Sequence, residues 1–124
     1  MNARPLDGGF VPELGAHMIN ACWDNDVIHQ ITRYIEIPAK SPMFDPDWAA
    51  NGHIDRVVQQ AADWVIAQKI AGLTLEVIRL PNRTPVLLFE VPSTQNGAGS
   101  GTMLMYGHLD KQPEFSGWRN DLGP

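Results

Sequence analysis

The chain holds a single cysteine, Cys22. One cysteine excludes an internal disulfide and any cysteine-based zinc knuckle, and a reducing compartment is the simplest setting for it. Long apolar runs are also missing. The first twenty residues, MNARPLDGGFVPELGAHMIN, mix charge, proline and glycine and offer neither a signal peptide nor a membrane span. A cytoplasmic location with no membrane partner is therefore expected. Basic charge is scarce, with 9 Lys and Arg against 14 Asp and Glu and a net charge of −5, so no electrostatic footprint for nucleic acid is present. There is no self-similarity at a period of about 20 to 50 residues. The one low-complexity stretch, STQNGAGSG from Ser93 to Gly101, reads as a flexible loop. A Gly-x-Ser-x-Gly elbow, a P-loop and a dinucleotide fingerprint are all absent.

What is present suits one small folded domain. Hydrophobic residues make up 44% and charged residues 19% of 124 positions, ordinary values for a chain able to bury a core. After an irregular N-terminal arm, Asp24, Asn25 and Asp26 offer a helix cap. Val27, Ile28, Ile31, Tyr34 and Ile35 then keep helical spacing until Pro38. The three prolines of PAKSPMFDPDW predict a loop, with Met43, Phe44 and Trp48 expected to pack down. A second helix is predicted from near Asn51 to about Ala71, with Ile54, Val57, Val58, Ala61, Trp64 and Val65 on one stripe and Gly72 as its stop. LTLEVIRL, the turn PNRT and PVLLFEV read as a hairpin. TMLMYG, Thr102 to Gly107, reads as a strand buried on both faces. The predicted architecture is α/β, two helices packed on a small mixed sheet of about three strands.

Gly-His-aliphatic-Asp is spelled twice, in NGHIDR from Asn51 and in YGHLDK from Tyr106. An imidazole can bind a metal while a carboxylate orients it from behind. With 4 histidines and 9 aspartates in 124 residues, chance alone gives roughly 0.3 His-x-Asp pairs, so placement has to discriminate. His53 and Asp55 fall in the opening turn of the second helix, where residues two apart point about 200° around the axis from each other. They cannot converge on one metal. Asn51 is the expected N-cap, and Asp55 meets the positive end of the helix dipole. His108 and Asp110 follow the predicted strand, and in extended backbone residues two apart project to the same face. The end of a buried strand is where open α/β sheets place ligands, and Gly107 leaves room for close approach. A hydrogen-bonded structural His–Asp pair is the other reading of that geometry.

MLMYGHLDKQPEFSGWRNDLGP, preceded by a helix, a hairpin and a Gly-rich loop, closely resembles the carnosinase, aminoacylase and glutamate-carboxypeptidase family of zinc metallopeptidases. The match covers most of the chain. Its specific part is the apolar strand leading into Gly-His-x-Asp, then a proline and a Gly-Trp. The resemblance implies residues 1–124 as the amino-terminal portion of a metallopeptidase catalytic domain, in a two-zinc enzyme that cleaves amide or peptide bonds of small substrates. Cobalt or manganese could replace zinc. It implies His108 as a metal ligand and Asp110 as the catalytic-site residue that fixes the His108 ring. The bridging aspartate, the Glu-Glu pair, a further acidic ligand and a second histidine of the family pattern come later than Pro124, as does the lid domain. After Asp110 the only acids are Glu114 and Asp121, without the family's surrounding motifs, so the chain alone is expected to be catalytically inactive.

Phe115 and Trp118 fit either the mouth of such a site or loop anchors. Lys111 and Arg119 could attract an anionic substrate but are read as solubilising surface cations, His17 and His29 as surface or helix-face residues, and Met43, Met103 and Met105 as core filler. The alternative function, from a different class, is a stand-alone binding or interaction domain in which His108 and Asp110 are structural. The expected partners are a small peptide or N-acyl amino acid substrate. Exposed strand edges further predict self-association or pairing with another chain.

Overall fold

The computed structural model describes residues 11–93 and 101–123. The Ser93 to Gly101 loop thus lies almost wholly outside the described residues. Two compact units divide the chain, the first ending at Glu36 and the second beginning at Ile37.

The first unit is helical from Pro12 to Ile35: α1 (Pro12–Cys22), a π-helical turn (Trp23–Val27) and α2 (Ile28–Ile35). Asp24, Asn25 and Asp26 therefore do not start a helix. They sit inside the π turn, where Asn25 Nδ2 donates to Ala21 O at 2.7 Å and Gln30 Nε2 to Asp26 Oδ1 at 3.1 Å. The start lies at Pro12, whose missing N–H costs nothing in the first turn and whose fixed φ suits a helix. The expected irregular arm is thus helix from Pro12 onward. No residue of α1, the π turn or α2 is buried.

The second unit holds α3 (Trp48–Asn51), α4 (His53–Ala67), β1 (Thr74–Ile78) and β2 (Val86–Glu90). α4 carries the core: Ile54, Val57, Val58, Ala62 and Val65 are buried on one stripe, joined by Ile37 and Ala39 from the segment before it. Ala62 takes the place expected of Ala61. The N-cap of α4 is Gly52, at φ +71°, not Asn51. Asn51 closes α3 instead and donates its amide to Asp45 at 2.9 Å. α4 stops at Ala67, short of the expected end. Gly72 lies beyond it at φ +75°, where an added Cβ would stand 2.7 Å from Pro92 Cγ. Left-handed backbone and close approach both demand glycine there.

β1 and β2 form the predicted antiparallel hairpin, with Glu76 opposite Leu88 and Val77 opposite Leu87. α4 and the hairpin make the chain mixed helix and sheet. The third strand is not formed. Residues 102–107 have no regular structure, and Met103, Leu104, Met105 and Tyr106 are 84–93% exposed. An apolar run states a need for cover, but strand structure requires a neighbour to hydrogen-bond with, and no described residue takes that place. Met43, expected to pack down, is 83% exposed, and Phe44 is also exposed. No described helix is long and apolar enough to cross a membrane.

Candidate functional site

The site is anchored from the core outward. Ile37 and Ala39 are buried, which fixes the 37–41 backbone. Residue 111 runs parallel to it, bridging Lys40. Lys111 N donates to Ala39 O at 2.8 Å, and Ser41 N donates to Lys111 O at 2.9 Å. The Lys111 ammonium also donates to Ile37 O. Partial burial lowers the pKa of this lysine, because desolvation disfavours its charged form. Lys111 is therefore a structural clamp rather than the solubilising cation expected. A second tie links Lys40 Nζ to Glu114 Oε2 at 3.3 Å. The Glu114 carboxyl is held below its ordinary value, first by a backbone hydrogen bond and then by Lys40.

One residue before the clamp, Asp110 faces His108. Its Oδ1 lies 3.2 Å and its backbone oxygen 3.0 Å from His108 Nδ1. Residues 106–110 have no regular structure, so the two side chains meet there without the strand that was expected to bring them together. Two oxygen acceptors at Nδ1 select the tautomer protonated there. That leaves the Nε2 lone pair as the ring's coordinating or proton-accepting atom. The histidine side chain is 67% and the aspartate 34% exposed, so Nε2 is open to a ligand. An added Cβ at Gly107 would meet nothing within 4 Å among the described residues.

The first copy behaves differently. Asp55 Oδ1 accepts from Arg79 Nη2 at 2.9 Å and from Arg79 Nε at 3.2 Å. Its carboxylate is thus spent on tying α4 to the residue after β1. An open groove of about 450 Å³ lies beside this pair, with Trp48, Leu80 and Arg83 in its wall and neither His108 nor Asp110. The second copy stands outside that groove.

Of the other residues singled out, Phe115 and Trp118 are exposed, and Arg119 pairs with Asp121, Nη2 to Oδ2 at 2.6 Å. His17 and His29 lie exposed on α1 and α2. Among the described residues no three His, Cys, Asp or Glu side chains are grouped to hold a metal ion. The donor set here is one imidazole with its orienting carboxylate, which does not make a zinc site, since such sites take three or four protein ligands. Sequence reasoning missed the clamp of Ile37, Ala39 and Lys111, because nothing local announces a pairing across about seventy residues. No family model and no curated protein matches this chain.

Proposed function

We propose that this chain is the amino-terminal part of a two-zinc metallohydrolase that cleaves amide or peptide bonds of small substrates, of dipeptidase, carboxypeptidase or deacylase type. The observation that carries the reading is the His108–Asp110 pair, with Nδ1 held by Asp110 at 3.2 Å and Nε2 left outward. A metal-bound histidine is ordinarily held by such a contact on its other nitrogen, which fixes ring orientation and raises basicity. His108 is the proposed ligand, and Asp110 the residue that sets its tautomer. The Lys111 clamp ties the backbone next to Asp110 to the segment of Ile37 and Ala39. In such enzymes the bound metal lowers the pKa of its water and polarises the scissile carbonyl. The remaining ligands and the general base would come from residues beyond Pro124, as would the binding of a small peptide or N-acyl amino acid. A reducing, cytoplasmic setting agrees with the unpaired, exposed thiol of Cys22.

The test separates the two copies. In a protein that continues past Pro124, His108→Ala should remove most amide hydrolysis, and Asp110→Ala should weaken metal binding by roughly 10–100-fold. His53→Ala should be close to neutral. Loss of turnover in folded His53→Ala, with His108→Ala active, would overturn the assignment. The 124 residues by themselves should bind zinc weakly in calorimetry, and a tight stoichiometric site abolished by His108→Ala would show a complete ligand set within them.

A further inference from the structure

We infer that Lys111 is a positioning residue for His108, acting through the peptide group it shares with Asp110, which links the imidazole to the buried backbone at Ala39. The inference rests on the proposed role of His108 as a metal ligand, and its test reads the ring itself, without metal and without activity.

His108 Nδ1 has two contacts at Asp110, and only one of them is to a side chain. The carboxylate Oδ1 lies at 3.2 Å and the Asp110 carbonyl oxygen at 3.0 Å. That carbonyl belongs to the same planar unit as the Lys111 N–H. No cis peptide occurs among the described residues, and in a trans peptide the N–H and C=O point to opposite sides of the chain. The Lys111 N–H donates to Ala39 O at 2.8 Å. One peptide unit thus spans from the fully buried Ala39 to an imidazole that is mostly exposed. Hydrogen bonds in line polarise one another, so donation by the Lys111 N–H makes the Asp110 carbonyl a better acceptor for Nδ1–H.

The orientation of that unit is secured by further bonds. Lys111 O accepts from Ser41 N at 2.9 Å, and the Lys111 ammonium donates to Ile37 O. Ile37 is itself buried, and its carbonyl also accepts the Ala39 N–H at 2.8 Å. Residue 111 is therefore fixed at its N–H, its carbonyl and the far end of its side chain, to residues 39, 41 and 37 in turn. Three attachments to one buried segment restrain rotation of the peptide that precedes Lys111, and with it the direction of the Asp110 carbonyl. The Asp110 carboxylate can rotate about its own side-chain bonds without moving that peptide. The two contacts are separable in consequence: the carboxylate adds charge at Nδ1, and the anchored peptide sets where Nε2 points. The neighbouring Lys40–Glu114 pair lies outside this line of bonds and supplies a control of equal charge.

The experiment measures the His108 tautomer ratio by long-range proton–nitrogen correlation in the full, metal-free chain, in mildly alkaline buffer where the imidazole is neutral and lysine charged. The variants are Lys111→Met, Lys111→Arg and Lys40→Met. The wild type should be mainly Nδ1–H, with the Lys111 amide protected from hydrogen exchange. Lys111→Met keeps both backbone bonds and loses the ammonium, so the ratio of Nδ1–H to Nε2–H should fall at least about twofold, less than the full worth of one hydrogen bond. Lys111→Arg restores a cationic donor and should recover most of the loss. Lys40→Met removes a positive charge beside the bridge but no bond of the relay, and should leave the ratio unchanged. A merely structural lysine would lower the melting temperature in Lys111→Met without moving the ratio, and that result overturns the inference. An equal shift in Lys40→Met, or a fall that Lys111→Arg does not recover, overturns it too. If Lys111→Met does not fold, the other samples decide. A freely exchanging Lys111 amide or a wild-type ring that is mainly Nε2–H refutes the relay, and a protected amide with a wild-type ratio in Lys111→Arg supports it. Failure of the enzyme reading shows instead as retained hydrolysis in His108→Ala of a longer protein, which leaves these ratios untouched.

Discussion

The tautomer of His108 is the most direct consequence of the site geometry, and Asp110→Ala is the perturbation that reads it. In the wild type, Nδ1 has two acceptors, the Asp110 carboxylate at 3.2 Å and the Asp110 carbonyl at 3.0 Å. The substitution removes the first and keeps the second. The pair is open to water, with side-chain exposures of 67% and 34%, so the carboxylate contributes only the about 0.2–1 kcal/mol typical of exposed pairs. At 1.4 kcal/mol per tenfold, the ratio of Nδ1–H to Nε2–H in the neutral ring should fall by roughly 1.4- to 5-fold. It should not collapse to that of an unstructured histidine, because the carbonyl contact remains. Long-range proton–nitrogen correlation spectra of ¹⁵N-labelled protein, taken in alkaline buffer, measure the ratio directly. His17 and His29, exposed on α1 and α2, serve as internal references. A His108 that is mainly Nε2–H in the wild type, or a ratio unmoved by Asp110→Ala, would refute the reasoning. Nε2 would then not be the atom presented to a metal.

Three further outcomes follow from burial and charge. Val57 is 1% exposed and, among the described residues, the largest side chain buried to that degree, so Val57→Ala should cost about 2 kcal/mol of unfolding free energy from two lost methyl groups and the cavity they leave. Ile66→Ala, on the exposed side of the same helix at 57%, should stay within about 0.5 kcal/mol; equal losses in denaturant melts would mean that α4 does not carry the core. In Lys40→Met, the Glu114 pKa should rise towards its ordinary 4.5 without reaching it, because the backbone hydrogen bond is the larger cause; a full return in a carboxyl ¹³C titration would reverse that order. The sign for stability follows from the depressed value. The contribution of Glu114 is present above 4.5 and is lost as pH falls through the lower folded-state pKa. Lys111, whose folded pKa lies below 10.5, works the other way at the alkaline end. Partial desolvation of the ammonium carries a cost at neutral pH, and that cost is relieved as pH rises from the lowered value to 10.5. Lys111→Met should flatten that alkaline rise in stability.

Sequence alone determined the elements whose information is local. The stripe Ile54, Val57, Val58 and Val65 has a period of its own, and α4 buries those residues. The apolar runs around PNRT pair as β1 and β2. Two-residue spacing outside a helix leaves Asp110 beside His108, whereas the same spacing in a helix turns Asp55 away, to Arg79. Where the determinant was not local, the sequence was silent or misled. Asp24, Asn25 and Asp26 have the chemistry of an N-cap, yet the helix had already begun at Pro12, and an N-cap residue acts only where the backbone enters a helix. TMLMYG has the composition of a buried strand, but burial is a relation to other chain, and none of the described residues covers it. Lys111 looked like any surface cation. Only the tertiary structure decided that its backbone and ammonium bind residues 37–41, because a hydrogen bond between segments about seventy residues apart depends on where the core between them places each backbone.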